Sequence, residues 1–395
     1  MLVPMTNTPD PTFILQSLIR CPSVTPIEAG VLGYMEGLMV PAGFTATRML
    51  FSQEGTADVD NLFLRIGTDG PHFCFAGHVD VVPPGADTLW TYPPFAAEIH
   101  DDIIYGRGAC DMKGSVAAFC AAATGFTQDH DGKLPGSISL LITGDEEGIA
   151  INGTVKMLAE LKRIGQIPDV CLVGEPTCPG QLGDTLKIGR RGSIHFEITW
   201  AGIQGHSAYP HKALNPITPL ARLIDAVAAH GLDRGNAHFG PTTLAVTNFD
   251  TGNPANNVIP ASANARFNIR YNTEHTAQSL KDWVALECEK VKQVFGGTYS
   301  IDIVEGADAF MTEPGDFVEC MARAVEAETG IIPKLDTGGG TSDARFIKDY
   351  CPVVEFGPDN TTIHQANENI AVRELQALTR VYRRMLDDWF AGASA

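Results

Sequence analysis

The sequence has no run of about 18 apolar residues, the length that a membrane-spanning helix requires, so we expect no membrane span. Its first eleven residues contain neither a basic start nor an apolar core, so we expect no secretory signal. Positive charge is scarce, because 28 Lys and Arg face 47 Asp and Glu, a formal net charge of −19. This balance argues against nucleic acid or an anionic membrane as the main partner, and we attribute the acidity to solubility.

Paired cysteines are also missing. The nine cysteines are odd in number and scattered, and none forms a Cys-x-x-Cys pair. We therefore expect mostly buried free thiols and a cytoplasmic location. The glycine-rich segment 338–343 lacks the Gly-Lys-Ser/Thr ending of a phosphate-binding loop, which argues against nucleotide binding there.

Buried strands are the clearest feature that is present. The 395 residues suffice for two domains, and the runs 72–82, 137–143 and 169–173 are nearly continuous in apolar residues. A histidine or an acid stands at or just after the end of each, at His78, Glu146, Glu147 and Glu175, and His364 follows a fourth run, 352–356. In open α/β sheets, ligand sites form at the carboxyl ends of the strands. We therefore predict that these side chains converge.

Asp111 lies in the glycine-rich segment 106–115, just before an apolar helical run at 116–126. A carboxylate on tight backbone at a helix entrance is held in place, and its two oxygens can bridge two cations. We predict that Asp111 joins two metal ions.

His78 and Asp80 are two residues apart, so on an extended chain they point to the same side. Asp80 can then orient a metal-bound His78, although the pair can also simply form a turn. The three acids at 145–147 repel one another unless a cation or a shared proton relieves them; the alternative is a solvated loop.

Two histidines and several carboxylates suit zinc, with cobalt or manganese able to substitute. If each ion takes one histidine and one glutamate and both share Asp111, one glutamate remains as a general base. One such division is His78, Asp111 and Glu175 for one ion, and Asp111, Glu147 and His364 for the other, which leaves Glu146. Spacing alone does not decide which glutamate serves which ion. The chemistry that this arrangement predicts is hydrolysis of an amide or a related bond.

The residue pattern changes near residue 192, where the predicted strands begin to alternate apolar and polar residues. The order β-α-β-β-α-β follows, which is the ferredoxin-like arrangement. We predict an inserted domain at 192–304, and a catalytic domain at 1–191 and 305–395.

Four motifs resemble those of the dinuclear zinc aminoacylase/carboxypeptidase family, M20. They are Gly-His-Val-Asp-Val-Val-Pro (77–83), Gly-Arg-Gly-Ala-Cys-Asp-Met-Lys-Gly (106–114), Asp-Glu-Glu-Gly (145–148) and Gly-Glu-Pro (174–176). The resemblance covers nearly the whole chain. It implies an α/β zinc-peptidase-like domain with a mixed sheet flanked by helices, and an inserted ferredoxin-like lid that forms a homodimer. It also implies two zinc ions per subunit in the division given above, Glu146 as base, Asp80 as the orienter of His78, and a cis Asp111–Met112 peptide.

Further stretches, at 187–193, 202–211, 337–347 and 357–360, resemble family members whose small linear substrate carries a carboxylate at each end. Arginines and hydroxyls are fitting partners for such groups. The substrate contacts implied are Arg190, Tyr209, Asn257, Arg270, Thr341 and Asn360. The resemblance further implies that His206 reaches across the dimer interface to the oxyanion. The alternatives are solvated hinge charges for Arg190 and Arg191 and a surface turn for His206.

Other functions are compatible with parts of this pattern. Another hydrolase of the same family, such as an acetylornithine deacetylase, an aminoacylase or a dipeptidase, differs only in the acyl group accepted. A non-catalytic metal-binding relative would lack the base, whereas Glu146 is present. A dinuclear phosphoesterase would not need residues arranged for carboxylates.

Overall fold

The computed structural model describes residues 9–393; residues 1–8, with most of the stretch for which no secretory signal is expected, lie outside the description, as do 394–395. The chain divides into two compact units. Unit 1 comprises the described parts of Met1–Ile188, Thr312–Asp336 and Ser342–Ala395, and unit 2 comprises Gly189–Met311 and Thr337–Thr341. The predicted insert, 192–304, lies within unit 2. Among the described helices, none is long and apolar enough to cross a membrane.

The described residues form nine α-helices, which are α1 (Pro11–Ile19), α2 (Val31–Met39), α3 (Lys113–Asp129), α4 (Thr154–Arg163), α5 (Ile217–Ala229), α6 (Ala277–Phe295), α7 (Asp316–Thr329), α8 (Ala344–Ile347) and α9 (Val372–Ala393). The strands of the same residues are β1 (Thr45–Phe51), β2 (Val59–Ile66), β3 (His72–His78), β4 (Glu98–His100), β5 (Ile103–Tyr105), β6 (Ser137–Thr143), β7 (Val170–Val173), β8 (Thr185–Lys187), β9 (Gly189–Arg190), β10 (Gly192–Ala201), β11 (Gly205–His206), β12 (Thr243–Asp250), β13 (Val258–Ile259), β14 (Ser262–Tyr271), β15 (Thr298–Glu305), β16 (Phe310–Met311), β17 (Lys334–Asp336), β18 (Val353–Glu355) and β19 (Asn369–Ala371).

Unit 1 is built on an eight-stranded mixed sheet with the order β1-β2-β6-β3-β7-β18-β8-β17. Its central strand β3 is parallel to both neighbours, β6 and β7, whereas β2 is antiparallel to β6. Every residue of β3, β6 and β7 is buried, which explains why these strands are apolar without alternation. The predicted α/β class with a mixed sheet and flanking helices is confirmed.

Aromatic packing fixes α3 and α9 against this sheet. Phe75 of β3 stacks on Phe119 of α3 with ring centroids 4.4 Å apart, and Tyr382 of α9 meets the Phe75 ring edge-on at 5.8 Å. The buried Tyr382 hydroxyl donates to the Phe356 carbonyl at 2.7 Å. The strands that end at the candidate site therefore rest on a rigid apolar layer.

Three neighbouring parallel strands end side by side. His78 is the last residue of β3, Thr143 the last of β6 and Val173 the last of β7. Val79 N still donates to Thr143 O at 3.0 Å, so the pairing extends one residue beyond β3. The segments that carry the predicted ligands consequently leave the sheet at one edge.

Unit 2 contains a four-stranded antiparallel sheet with the order β12-β14-β10-β15. Its chain order β10-α5-β12-β14-α6-β15 is the predicted ferredoxin-like arrangement. Alternate residues of β10 form its apolar core with α5 and α6, namely Ile194, Phe196, Ile198 and Trp200. The part Thr337–Thr341, which contains the three glycines of the glycine-rich segment, belongs to this unit too, and Arg190 Nη1 donates to Gly340 O at 3.1 Å.

Sequence patterns missed α2 and β1 and most of the two- and three-residue strands. The α2 segment contains Gly33 and Gly37, which lower helix propensity. β1 is an edge strand with only Met49 buried, so it lacks the alternation that marks a strand. The predicted strand 72–82 ends earlier, at His78.

One buried amide ties the sheet to the acidic loop. Asn61 of β2 is fully buried, and its Nδ2 donates to the carbonyl oxygens of Met49 and Asn152 at 3.1 and 2.9 Å. Its Oδ1 accepts from Thr143 Oγ1 at 2.8 Å and from Gly144 N at 3.3 Å.

We expect Asn61→Ala to lower the free energy of unfolding by about 2–4 kcal/mol, because several buried polar groups lose their partner together. Urea unfolding followed by far-UV circular dichroism measures the change. Asn264→Ala is the matched control, because Asn264 is partly exposed and its Nδ2 donates to the side chains of Glu197 and Thr199. Equal urea midpoints for the two variants would contradict this account.

Candidate metal centre

Asp111 lies in the turn between β5 and α3 and is 8% exposed. The peptide bond that follows it, Asp111–Met112, is cis, as the family resemblance implied. Gly108 allows the tight approach of this turn. Its φ is +83°, and a Cβ there would lie 2.7 Å from Val81 Cγ1.

Two groups of possible ligands share Asp111. The first contains His78, Asp111 and Glu175, the second contains Asp111, Glu147 and His364, and the ligand atoms of each group lie within 4.8 Å of one another. These are the two sets named from the sequence.

The two oxygens of Asp111 face different histidines. Oδ1 lies 3.1 Å from His78 Nε2, and Oδ2 lies 3.2 Å from His364 Nε2. His364 Nε2 is also 2.8 Å from Glu147 Oε1, and His78 Nε2 is 3.9 Å from Glu175 Oε1. The side chain is thus placed to bridge two ions, and its assignment as a metal ligand stays a prediction.

The tautomer of His78 follows from its surroundings. Nδ1 lies 2.9 Å from the backbone oxygen of Asp80, which can only accept, so Nδ1 carries the proton. In the neutral ring this leaves the Nε2 lone pair directed at Asp111 and Glu175. A metal ligand needs such an anchored second nitrogen.

The carboxylate of Asp80 has a different position from the one expected for an orienter of His78. Its Oδ1 is 3.7 Å from His78 Nδ1. The two oxygens instead accept from Glu146 N at 3.3 Å and Glu147 N at 3.0 Å. Burial raises the pKa of Asp80 to about 6, opposed by the charge of His78 and by these two hydrogen bonds. The Asp80 side chain therefore fixes the backbone of the acidic loop, whereas its backbone orients His78.

The three consecutive acids have separate environments. Asp145 is buried and accepts from Ile151 N and Asn152 N at 2.9 and 2.8 Å, which shapes the loop. Glu147 faces His364. Among the described residues, neither three-ligand group includes Glu146. Burial raises the pKa of Glu146 to about 8, against the charge of His78 and helped by that of Asp343.

The electrostatics of the remaining groups show how the carboxylates are balanced by the imidazoles. Burial acts to raise the pKa of Asp111, but hydrogen bonds from His364 and His78 outweigh it and hold this pKa below its ordinary value. Hydrogen bonds to Asp111 and Glu147 raise the pKa of His364 to about 10. Burial lowers the pKa of His78, yet the hydrogen bond and charge of Asp111 hold it well above its ordinary value. Burial and the charges of Asp111 and Glu146 raise the pKa of Glu175.

These residues fit a pair of divalent cations. Glu175 Oε1 is buried and finds no hydrogen-bond partner within residues 9–393, and the charges of Asp111 and Glu146 act on this carboxyl group. A buried carboxylate oxygen left this way is costly unless a cation or proton meets it. Mixed imidazole and carboxylate donors are the set that zinc and related ions take.

Unit 2 brings together three of the predicted residues. His206 of β11 pairs with Val258 of β13, and Ser207 N donates to Asn257 O at 3.0 Å. The Tyr209 ring meets the His206 ring edge-on with centroids 5.7 Å apart. Ala208 N donates to His206 Nδ1 at 3.0 Å, so in the neutral ring the proton lies on Nε2.

Arg190 and Thr341 are also near each other, because Arg190 Nη1 donates to the carbonyl of the residue before Thr341 at 3.1 Å. Arg270 lies on β14, where burial and the charge of Arg191 lower its pKa. Two guanidinium groups whose charges act on each other favour an anion between or beside them. The sequence offered Arg191 only a hinge role. In unit 1, Asn360 Nδ2 donates to Pro176 O at 3.5 Å, next to Glu175.

Sequence patterns missed Glu368, which is fully buried and accepts from the backbone N–H of Asp111 at 3.1 Å. Its partner Arg107 lies in the glycine-rich segment that the sequence singled out, but was assigned no role. No motif spacing marks Glu368, because it lies 257 residues from Asp111.

The chain is similar to known proteins over nearly its whole length. The family model described as Peptidase family M20/M25/M40 matches residues 74–388. The chain is 52% identical over 385 residues to the succinyl-diaminopimelate desuccinylase of Rhodospirillum centenum, and the match covers 98% of each chain.

Two solved structures have the same fold. The aminopeptidase PepT of Bacillus cereus superimposes with a TM-score of 0.78 at 21% identity, covering 97% of this chain and 98% of that one. The Bacillus subtilis YXEP protein, described as a dinuclear metal binding peptidase from the M20 family, gives 0.69 at 15% identity, covering 95% and 96%. Identities this low carry the fold alone.

We expect the purified protein to bind two divalent ions per chain, Asp111→Ala to bind neither tightly, and His364→Ala to keep one. Asp111→Ala removes a ligand from both groups, whereas His364→Ala removes a ligand from one group. Metal content after dialysis, measured by plasma mass spectrometry on folded protein, gives the stoichiometry. His230→Ala, an exposed histidine of unit 2, is the control and should keep both ions. Two tightly bound ions in Asp111→Ala would contradict the shared ligand.

Proposed function

This chain belongs to peptidase family M20/M25/M40, and from that premise we propose that it removes succinate from N-succinyl-LL-2,6-diaminopimelate. The observation that carries the proposal is the Asp111 carboxylate, whose two oxygens face two different histidines beside an uncommitted Glu146. The substrate follows from the desuccinylase to which the chain is 52% identical over 98% of its length.

The reaction is the hydrolysis of one linear amide bond. Water adds to the succinyl carbonyl, the C–N bond breaks, and the products are succinate and LL-2,6-diaminopimelate. The second product supplies lysine and peptidoglycan-precursor synthesis in bacteria. The enzyme is thus a hydrolase acting on a small molecule.

Two zinc ions per subunit are the cofactors that we propose, with cobalt able to substitute. His78, Asp111 and Glu175 would hold one ion, and Asp111, Glu147 and His364 the other. When bound, the two ions supply a polarised scissile carbonyl and a water molecule of lowered pKa. Support comes from the unpaired Glu175 oxygen and the anchored tautomer of His78.

Glu146 is the general base in this proposal. Its carboxylate takes a proton from the attacking water and returns it to the leaving nitrogen, the two transfers that amide hydrolysis needs. Among the described residues, Glu146 lies in neither ligand group, so its carboxylate stays available for these two transfers. Asp80 contributes by holding the backbone of Glu146 and Glu147, and its backbone oxygen keeps His78 in the ligating tautomer.

We assign His206 to the oxyanion of the tetrahedral intermediate. The bond from Ala208 N to Nδ1 leaves Nε2–H as a donor, which is what an oxyanion requires. In this proposal unit 2 is a lid and dimerisation domain, and the histidine serves the site of the other subunit in a homodimer. We also propose a cytoplasmic location, supported by nine free cysteines.

The two carboxylates of the substrate need cationic and hydrogen-bonding partners. The guanidinium of Arg270 lies within electrostatic reach of Arg191, so an anion is favoured near these two groups. We propose that the substrate contacts are Arg190, Tyr209, Asn257, Arg270, Thr341 and Asn360.

Zinc-loaded protein should hydrolyse N-succinyl-LL-2,6-diaminopimelate, and Glu146→Gln should lower kcat by about 10²–10⁴-fold while keeping both ions, because it removes only the base. A chelator should abolish activity, and added zinc or cobalt should restore it. Release of free amine measures the rate.

Glu160→Gln, an exchange on the exposed side of α4, is the matched control and should leave kcat unchanged. N-acetylornithine is the competing substrate. Turnover of N-acetylornithine alone would move the protein to another activity of the family. Two bound ions with no turnover of either compound would contradict the enzymatic proposal.

Arg190→Met should lower kcat/KM for the succinylated substrate by about 10–100-fold, because a charge-assisted hydrogen bond to a carboxylate is lost. Steady-state kinetics measure it. Arg222→Met, an exposed arginine of α5, is the control and should change kcat/KM less than twofold. Equal values for the two variants would exclude Arg190 from substrate binding.

A further inference from the structure

We propose that Arg107 and Glu368 form a positioning pair that sets the distance between Asp111 and His364, and with it the affinity of the ion these two side chains share. The inference rests on the metal centre of the proposed function. It concerns residues that are not themselves within the ligand groups.

The Glu368 carboxylate accepts hydrogen bonds from the backbone of the turn that carries Asp111. Its side chain is fully buried, and its Oε1 accepts from the N–H groups of Cys110 and Asp111, each at 3.1 Å. Its Oε2 accepts from Gly108 N at 3.0 Å. One carboxylate therefore fixes three of four successive amides in the turn that carries the shared ligand.

Arg107 connects the same carboxylate to the His364 segment. Its Nη1 donates to Glu368 Oε2 at 2.7 Å and to Gln365 O at 3.3 Å, and its Nη2 is 3.4 Å from His364 O. The guanidinium is 2% exposed and is covered by the Trp90 ring, with 5.4 Å from Cζ to the ring centroid. The planar fork thus spans two loops that are far apart in sequence.

The His364 segment, whose carbonyl oxygens Arg107 contacts, has an unusual backbone conformation. His364 has a φ of +58°, in the left-handed region that L side chains seldom occupy. Its side chain is nearly half exposed, so packing around the ring adds little to the contacts that Nε2 makes with Asp111 and Glu147. The hydrogen bonds that Arg107 donates to the carbonyl oxygens of this segment are therefore placed to keep the imidazole 3.2 Å from Asp111 Oδ2.

The consequence is unequal for the two ions. The ion of Asp111, Glu147 and His364 depends on both loops, whereas the ion of His78, Asp111 and Glu175 takes nothing from the His364 loop. Loosening the contacts of Arg107 to the His364 loop should weaken the first of these ions much more than the second. A purely structural ion pair would lower stability without this difference.

Glu368→Gln tests the proposal, because either orientation of the new amide places an NH₂ group against an N–H donor. Zinc affinities are measured by competition with a chromophoric chelator, and urea unfolding is measured in parallel. We expect the ion of Asp111, Glu147 and His364 to lose affinity about 10–100-fold. In a His364→Ala background, where one ion remains, Arg107→Lys should change the affinity less than about threefold.

Asp233→Asn is the matched control. Asp233 is a partly buried carboxylate of unit 2 that likewise accepts from backbone amides, those of Gly235 at 2.6 Å and Thr242 at 3.2 Å. It should lose stability and keep both zinc affinities. Arg107→Lys is the second variant if Glu368→Gln does not fold, because it keeps the charge facing Glu368 and loses the fork. It should weaken the same ion at least threefold.

Three results would overturn the inference. Unchanged zinc affinities in folded Glu368→Gln or Arg107→Lys would remove it while leaving the metal centre in place. Equal weakening of both ions would show that the pair does not act through the His364 loop. Failure of the unaltered protein to bind two ions would remove the metal centre itself, and this inference with it.

Discussion

The Asp111 carboxylate, with one oxygen towards His78 and the other towards His364, is the contact on which the rest of the site depends. The two histidines are far apart in sequence. His78 is the last residue of β3, and His364 lies in a loop. A single side chain can serve both only if its turn is held rigidly. Three features supply that rigidity: the tight turn at Gly108, the hydrogen bonds from three backbone amides to Glu368, and the start of α3 directly after the turn.

Much of the framework could be predicted, because a strand that is buried on both faces has a continuous run of apolar residues. The runs that became β3, β6 and β7 are apolar throughout, and parallel neighbours must end at a common edge. Acids and a histidine at those ends were therefore expected to meet. The ferredoxin-like unit was also predictable, because its strands alternate, as β10 does. The edge strand β1 carries no such mark, since only Met49 is buried.

Two features of the site could not be predicted, for different reasons. The same-side argument for His78 and Asp80 assumes an extended chain, but β3 ends at His78 and the carboxylate of Asp80 turns to the amides of Glu146 and Glu147. Arg107 and Glu368 meet across 261 positions, and lone charges at that distance have no periodicity. Only the folded chain reveals that they are partners.

The charge balance of the site explains why its geometry and its ions belong together. The carboxylates of Asp111, Glu147 and Glu175 converge on two imidazoles, and the pKa of His364 rises to about 10 because its ring hydrogen-bonds to Asp111 and Glu147. A metal ion needs the same ring nitrogen without its proton. Proton and metal ion therefore compete for His364 Nε2 and for His78 Nε2. An ion that wins this competition meets the oxygens only in the folded chain, so its binding free energy adds to the stability of the fold.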